Sequence, residues 1–308
     1  MLRRSIPERF KPKPMSDTVQ IVECPRDAWQ GLASVIPAAA KAEYLRALMA
    51  AGFTHIDAAS FVSPRTVPQM ADSEEVLSLL DVPPGVEIIG IVVNAKGAER
   101  AIGSGKVTTL GFPHSISAQF LHRNQNQTPE GSIAMLEVIQ AAANQAGLGV
   151  VAYLSMAFGN PYEDPWSIEA VLDACRKLAG MGVRQISLAD TVGVAAPKKI
   201  ATLFAAVRAE IDPSVEIGLH LHARPFEAAA KIRAAYQAGC RRFDTALAGL
   251  GGCPFAQDDL VGNIATETAL NELAQLGAEL PSLGSLDPLI ASSREIGNHY
   301  SHAIQEPR

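Results

Sequence analysis

The 308-residue chain lacks several things, and each absence narrows the reading. No apolar run approaches the roughly 18 residues of a transmembrane helix, so no membrane is expected as a partner. Positive charge is not in excess. With 26 Lys and Arg against 32 Asp and Glu, the formal charge is -6, which argues against nucleic acid or an anionic lipid surface as a partner. Cysteine is scarce: Cys24, Cys175, Cys240 and Cys253 show no CxxC spacing and are too few for a disulfide scaffold of this size. A reducing cytoplasm is the simplest home for such a chain. No GxGxxG follows the first strand-like run, which weakens an open doubly wound sheet as the fold.

What is present points to a large soluble core, with 48% hydrophobic and 19% charged residues. Residues 1–14 carry Arg3, Arg4, Arg9, Lys11 and Lys13, but also Glu8 and three prolines, without an amphipathic period. They read as a flexible arm over 1–16 rather than a transit peptide.

From Val19 onward a rhythm sets in, with short β-branched runs alternating with helical stretches. The strand candidates are 19–23, 54–58, 87–93, 107–111, 149–155, 184–188, 216–222 and 242–246. Helices are expected at 38–51, 67–80, 95–102, 129–146, 167–181, 197–210, 225–238 and 260–276, with a further one at 288–304. Terminal signals support them: Thr128-Pro129-Glu130 opens one, and Gly52, Gly182 and Gly239 each close one. Eight strand–helix pairs predict a (β/α)8 TIM barrel over 17–277, with a C-terminal extension over 278–308 that caps it.

A barrel of this kind gathers its chemistry at the carboxyl ends of the strands. The polar residues cluster there. His220 and His222 end the seventh run, and alternation puts both imidazoles on one face, as a metal ion requires. After the eighth run comes Gly249-Leu250-Gly251-Gly252-Cys253-Pro254, a glycine loop that lets backbone approach a ligand and ends on a single thiol. Two imidazoles and a positioned thiol suggest a metal site with a thiol acid/base beside it.

Four stretches together resemble the 3-hydroxy-3-methylglutaryl-CoA lyase family of metal-dependent barrel lyases. They are Glu23-Cys24-Pro25-Arg26-Asp27; Asp57-Ala58-Ala59-Ser60-Phe61-Val62-Ser63-Pro64 with the run 67–72; Ile186-Ser187-Leu188-Ala189-Asp190-Thr191-Val192-Gly193; and the glycine–cysteine loop with residues 261–267. The last is the most specific, because the wider group shares the barrel and the histidine pair but not the cysteine loop. The resemblance implies metal ligands at Asp27, His220, His222 and Asn263, a mixed oxygen and nitrogen set suited to Mg2+ or Mn2+. It implies cleavage of the C2–C3 bond of a 3-hydroxyacyl-CoA by a retro-Claisen route. In that reaction Arg26 faces the enolate oxygen, Asp57 orients Arg26, Cys253 acts as acid/base and His220 relays a proton. Gln30, Asp190, Thr191 and Arg224 are expected in supporting or substrate-binding places, with Asp190 serving the metal surround or only the barrel core. A homodimer is the assembly the family implies.

The chain also departs from the family pattern. Asp57 stands where a glutamate is usual. Ala28-Trp29-Gln30-Gly31-Leu32 replaces Gly-Leu-Gln-Asn-Glu, and Ala223-Arg224-Pro225-Phe226 replaces Asp-Thr-Tyr-Gly. Gly159-Asn160-Pro161-Tyr162 replaces Gly-Cys-Pro-Tyr. The substrate is expected to be 3-hydroxy-3-methylglutaryl-CoA or a related ester; because all these departures lie where substrate is read, another acyl group is expected to be preferred, or the methylglutaryl ester accepted poorly. Two rivals remain: a metal-dependent aldolase or condensing enzyme acting on another hydroxy acid, and a non-catalytic metabolite-binding barrel.

Overall fold

A computed structural model describes residues 18–251 and 261–301. The expected arm at 1–16 and Cys253 lie outside the described residues. Eight parallel strands close on themselves in chain order: β1 (Gln20–Glu23), β2 (His55–Ser60), β3 (Glu87–Ile91), β4 (Thr109–Ser115), β5 (Gly149–Ser155), β6 (Gln185–Asp190), β7 (Glu216–Leu221) and β8 (Arg242–Thr245). The ring closes where β8 pairs with β1, Val22 opposite Asp244.

Period-two alternation sorts the side chains into two populations. Residues such as Ile186, Leu188, Ile217 and Leu219 pack outward in one continuous core beneath the helices. Val22, Cys24, Ile89, Ile91, Val151 and Tyr153 form a separate cluster inside the ring. Gly111 makes room within it, since a Cβ there would sit 2.6 Å from Ile91 Cδ1.

The outer layer is helical. It comprises α1 (Pro25–Gln30), α2 (Ala38–Ala50), α3 (Ser73–Ser78), α4 (Ala95–Gly103), α5 (Ala118–Gln125), α6 (Pro129–Ala146), α7 (Ile168–Gly180), α8 (Pro197–Glu210), α9 (Pro225–Gln237), α10 (Thr266–Gln275) and α11 (Asp287–Tyr300). Helix α6 shows why such a segment starts and stops where it does. The Thr128 hydroxyl accepts from Gly131 N–H, Pro129 fills the first turn, and Gly147 takes a left-handed φ of 70° to end it. Expectation and structure coincide at α6 and α8 to the residue.

Four helical elements differ from expectation. The helix expected over 67–80 breaks into a 3-10 turn at Pro68–Met70 and the short α3. Side chains cause the break: Ser73 Oγ donates to Met70 O at 2.8 Å and accepts from Ser60 N–H at 3.0 Å, while the buried Lys41 ammonium holds Asp72 at 2.6 Å. Helices α1 and α5 stand where loops were expected. The helix expected from Leu260 begins only at Thr266. Before it, Asn263 bridges to His222 and Ala265 to Ala246, so Asn263 extends the barrel rim rather than opening a helix.

The segment after α10 returns to the barrel. Val19 N–H donates to Glu279 O at 2.8 Å beside β1. Helix α11 packs against α2 and the turn Leu247–Gly249, where Ser293 Oγ donates to Leu247 O at 2.9 Å.

Candidate active site

Helix α1 carries the first functional residues. It opens on Pro25 directly after β1, so its six residues are thrown across the barrel mouth. Gln30 Nε2 donates to Asp27 Oδ1 at 2.7 Å, and Arg26 Nη1 donates to Gln30 Oε1 at 2.9 Å. All three side chains line one cavity together with His220, His222 and Thr191.

Asp27, His220 and His222 bring ligand atoms within 4.8 Å of one another, all buried. The Nε2 atoms of both histidines lie 3.9 Å from Asp27 Oδ2. Asn263 donates from Nδ2 to that same oxygen at 2.8 Å, and to Leu250 O at 3.1 Å, which turns its Oδ1 inward. Two buried atoms therefore carry free lone pairs at this point: Asn263 Oδ1 and His222 Nε2 have no hydrogen-bond partner. His222 Nδ1 faces Asp190 O at 3.0 Å, so the ring donates there and leaves Nε2 as the acceptor. Such atoms are costly to bury unless something binds them. Two imidazoles, a carboxylate and an amide oxygen fit a divalent cation of the Mg2+ or Mn2+ type. Burial works to raise the Asp27 carboxyl. The Arg26 guanidinium beside it nevertheless helps hold it well below the usual carboxylate range, so it stays ionised.

Arg26 is held as a fork. Its Nε donates to both Asp57 oxygens at 3.1 Å, Nη2 also binds Asp57, and Nη1 reaches Asp27 at 3.3 Å. Asp57 is fully buried on β2, and burial pushes its carboxyl up against the opposing pull of Arg26. Burial also works against the guanidinium charge, but Asp57 and Asp27 outweigh it and Arg26 remains cationic.

The remaining expected residues divide. Asp190 is bound through both oxygens to Ala195 N–H, at 3.1 and 3.0 Å, and to Lys231 Nζ at 3.0 Å. Its carboxylate thus belongs to the scaffold, while its carbonyl orients His222. Thr191 lines the cavity, and its hydroxyl accepts from Met156 N–H at 2.9 Å. Arg224 is exposed at the start of α9. It borders a second depression with Ala248, Gly249, Val261 and Glu267 rather than the cavity of Asp27 and His220.

Sequence reasoning missed three features. Asp244, on β8, lies 3.5 Å from His220 Nδ1, and its inward-facing parity was the available signal. The rest of the cavity lining mixes apolar side chains, among them Val62, Val67, Ile91, Val93, Pro113 and Phe120, with polar ones such as Thr66, Asn124 and Gln125; these residues come from separate stretches of the chain, so no single one reveals them. Cys24 also points into the ring. Burial and the nearby Asp244, Asp57 and Asp27 push its thiol well above the ordinary value, so it stays protonated and inert.

Fold and site together define a barrel enzyme with a candidate divalent-cation centre at the carboxyl end of its strands. The HMGL-like family model matches residues 18–286. Mitochondrial hydroxymethylglutaryl-CoA lyase of Bos taurus is 38% identical over 260 residues, covering 84% of this chain and 79% of that protein. Cytoplasmic 3-hydroxy-3-methylglutaryl-CoA lyase of Rattus norvegicus is 36% identical over 264 residues, covering 85% and 76%. A solved HMG-CoA lyase of Acinetobacter baumannii, in complex with coenzyme A and 3-methylmalate, superposes with a TM-score of 0.85 at 32% identity, covering 94% of this chain and 93% of that one. The chain belongs to the HMGL-like family, and it is a carbon–carbon lyase.

Proposed function

We propose that the chain cleaves the C2–C3 bond of 3-hydroxy-3-methylglutaryl-CoA or a related 3-hydroxyacyl-CoA, releasing acetyl-CoA and a keto product. One observation carries this: the cationic Arg26 fork and the buried Asp27–His220–His222 cluster share one cavity, with Asn263 bonded to Asp27 at its edge. A divalent cation bound there, Mg2+ or Mn2+, supplies Lewis acidity that lowers the pKa of the substrate hydroxyl.

The chain's own groups supply the rest. The 3-hydroxyl proton is released into the Asp27–His220–His222 cluster, His220 accepting it on Nε2 when that lone pair is not held by the cation, and the C2–C3 electron pair passes to C2 and the thioester oxygen as C3 becomes a ketone. Arg26, held by Asp57 and Gln30, places its charge against that enolate oxygen. Cys253 returns a proton to C2 as general acid. The apolar part of the lining takes the C3 substituent, and the buried cavity keeps water from the enolate. Arg224 stands outside this cavity and is assigned to the thioester's distal, phosphate-bearing part. The barrel domain at 17–277 with its capping extension at 278–308 works as one unit. A homodimer in the cytoplasm is the setting proposed for it; the buried free thiols Cys24, Cys175 and Cys240 suit a reducing compartment.

The deciding experiment follows acetyl-CoA release from the methylglutaryl thioester. Chelator should abolish turnover and Mn2+ or Mg2+ restore it, and Cys253→Ser should turn over at least about 100-fold more slowly. Turnover that persists in excess chelator, or equal activity on the free acid, would defeat the reading. Sedimentation of the purified protein tests the dimer.

A further inference from the structure

The barrel interior below His220 contains charges that the proposed chemistry does not use. Asp244 and Arg242 both project inward from β8 and are almost fully buried, at 2% and 1% exposure. Asp244 Oδ2 accepts from Ser187 Oγ at 2.7 Å and faces His220 Nδ1 at 3.5 Å. Arg242 Nη2 stands 3.9 Å from the other oxygen, Asp244 Oδ1, and Arg242 Nε stands 3.8 Å from Glu216. Gly218 makes the approach possible, because a Cβ there would lie 3.0 Å from Arg242 Cγ. Tyr153 closes the other side, edge-on to the His220 ring at 6.0 Å between centroids. The polar atom the structure sets against His220 Nδ1 is thus Asp244 Oδ2, farther off than a formed hydrogen bond, and Nδ1 has no other hydrogen-bond partner among the described residues. That carboxylate oxygen can accept a proton's hydrogen bond but offers none while ionised.

We propose that Asp244 is a positioning residue for His220: its carboxylate keeps the proton on Nδ1, so the Nε2 lone pair points at the Asp27–His222 cluster where a divalent cation binds. The inference rests on the lyase reading for its purpose, but not for its test. His222 reaches the same tautomer by a different route, through the backbone carbonyl of Asp190. The two imidazoles are thus aimed by independent partners, a carbonyl for one and a carboxylate for the other. Ser187 holds the carboxylate through its hydrogen bond to Oδ2, and Arg242, without a hydrogen bond to it, sets its positive charge 3.9 Å from Oδ1. With Arg242 beside Oδ1, Oδ2 is left for His220.

This arrangement predicts an unusual ordering of variants. In Asp244→Asn, Arg242 attracts the carbonyl oxygen to the Oδ1 place, so the amide NH2 falls at the Oδ2 place and faces His220 Nδ1. An N–H there forces Nδ1 to accept, drives the proton to Nε2 and removes the ligand lone pair, as with the wrong tautomer left by an Asp→Asn change in a serine-protease triad. Asp244→Ala merely leaves the tautomer free. Mn2+ affinity, read by calorimetry on the purified protein, should fall about 10- to 100-fold in Asp244→Asn and less in Asp244→Ala, although Asn is the closer isostere. A residue that mattered for packing alone would give the reverse order. Nitrogen-15 histidine spectra of the unaltered protein give a second readout that needs no variant: His220 should show Nδ1–H. An Nε2–H signal there, or Asp244→Asn binding Mn2+ as tightly as the parent, overturns the proposal. If the parent itself binds Mn2+ but cleaves no 3-hydroxyacyl-CoA, the lyase reading falls while this one stands.

Discussion

At the residue scale, Arg26 shows how much geometry one side chain needs. Its guanidinium spans Asp57 on one edge and Asp27 with Gln30 on the other, so its position is set from both sides. Asp57 is a methylene shorter than the family's usual glutamate, yet it still meets two guanidinium nitrogens. The shortening is therefore absorbed within the pair. A lysine carries one compact charge and cannot bridge both edges. In Arg26→Lys the ammonium should settle against Asp57 and leave the enolate oxygen unattended. The expected result is a kcat lower by on the order of 100- to 1000-fold with KM little changed, measured by steady-state acetyl-CoA release. Rates near those of the parent would show that the fork is not what faces the developing charge. Residue identities here were legible early, because Arg26, Asp27 and the histidine pair sit in short stretches whose residue types speak for themselves. Asp244 was harder: its parity on β8 marks it as inward-facing, but only the closed ring shows that it lies against His220.

At the element scale, short pieces were the hard ones. Helix α1 has six residues, less than two turns, too few to show a period. Yet it carries Arg26, Asp27 and Gln30. Helix α5 buries only Phe120 and Leu121, so its sequence reads as polar loop. Long helices with caps at both ends, such as α6, announced themselves. The loop leaving β8 depends on α1 in a way no pattern shows. Gly251 holds φ at 89°, and a Cβ there would fall 2.5 Å from Ala28 Cα. That is backbone against backbone, and no rotamer change relieves it. Gly251→Ala must push the loop off α1. Because Cys253 lies two residues on, turnover should drop by at least about tenfold, the cost of even a small misplacement of a reacting group. Mn2+ binding should survive, since the ligands proposed for it sit on α1, the end of β7 and the 261–265 rim. Loss of metal binding in step with activity would mean that the loop and the ligand cluster are one structural unit.

At the scale of the whole molecule, the barrel and its functional end were readable from rhythm alone, because eight β-branched runs leave few topologies open. The balance of buried charge was not readable, and it governs how stability responds to pH. Glu23 ends β1 facing the helical layer, where it accepts from Leu247 N–H at 2.7 Å and from Thr266 Oγ1 at 2.5 Å. Burial pushes its carboxyl from 4.5 up to about 8, despite those two hydrogen bonds. Between these values the unfolded chain has released the proton while the folded chain retains it. The folded state therefore binds more protons, and stability falls as pH rises through that window. A tenfold difference in proton affinity between the two states is worth about 1.4 kcal/mol, so the loss amounts to a few kcal/mol once pH passes the upper value. Glu23→Gln keeps the acceptor for Leu247 and cannot ionise. Urea unfolding of parent and variant from pH 4.5 to 8.5 should show a descending difference between them, other groups cancelling in the subtraction. Parallel curves would mean that Glu23 is already ionised when folded, and that the joint between β1, the turn after β8 and α10 tolerates a buried negative charge.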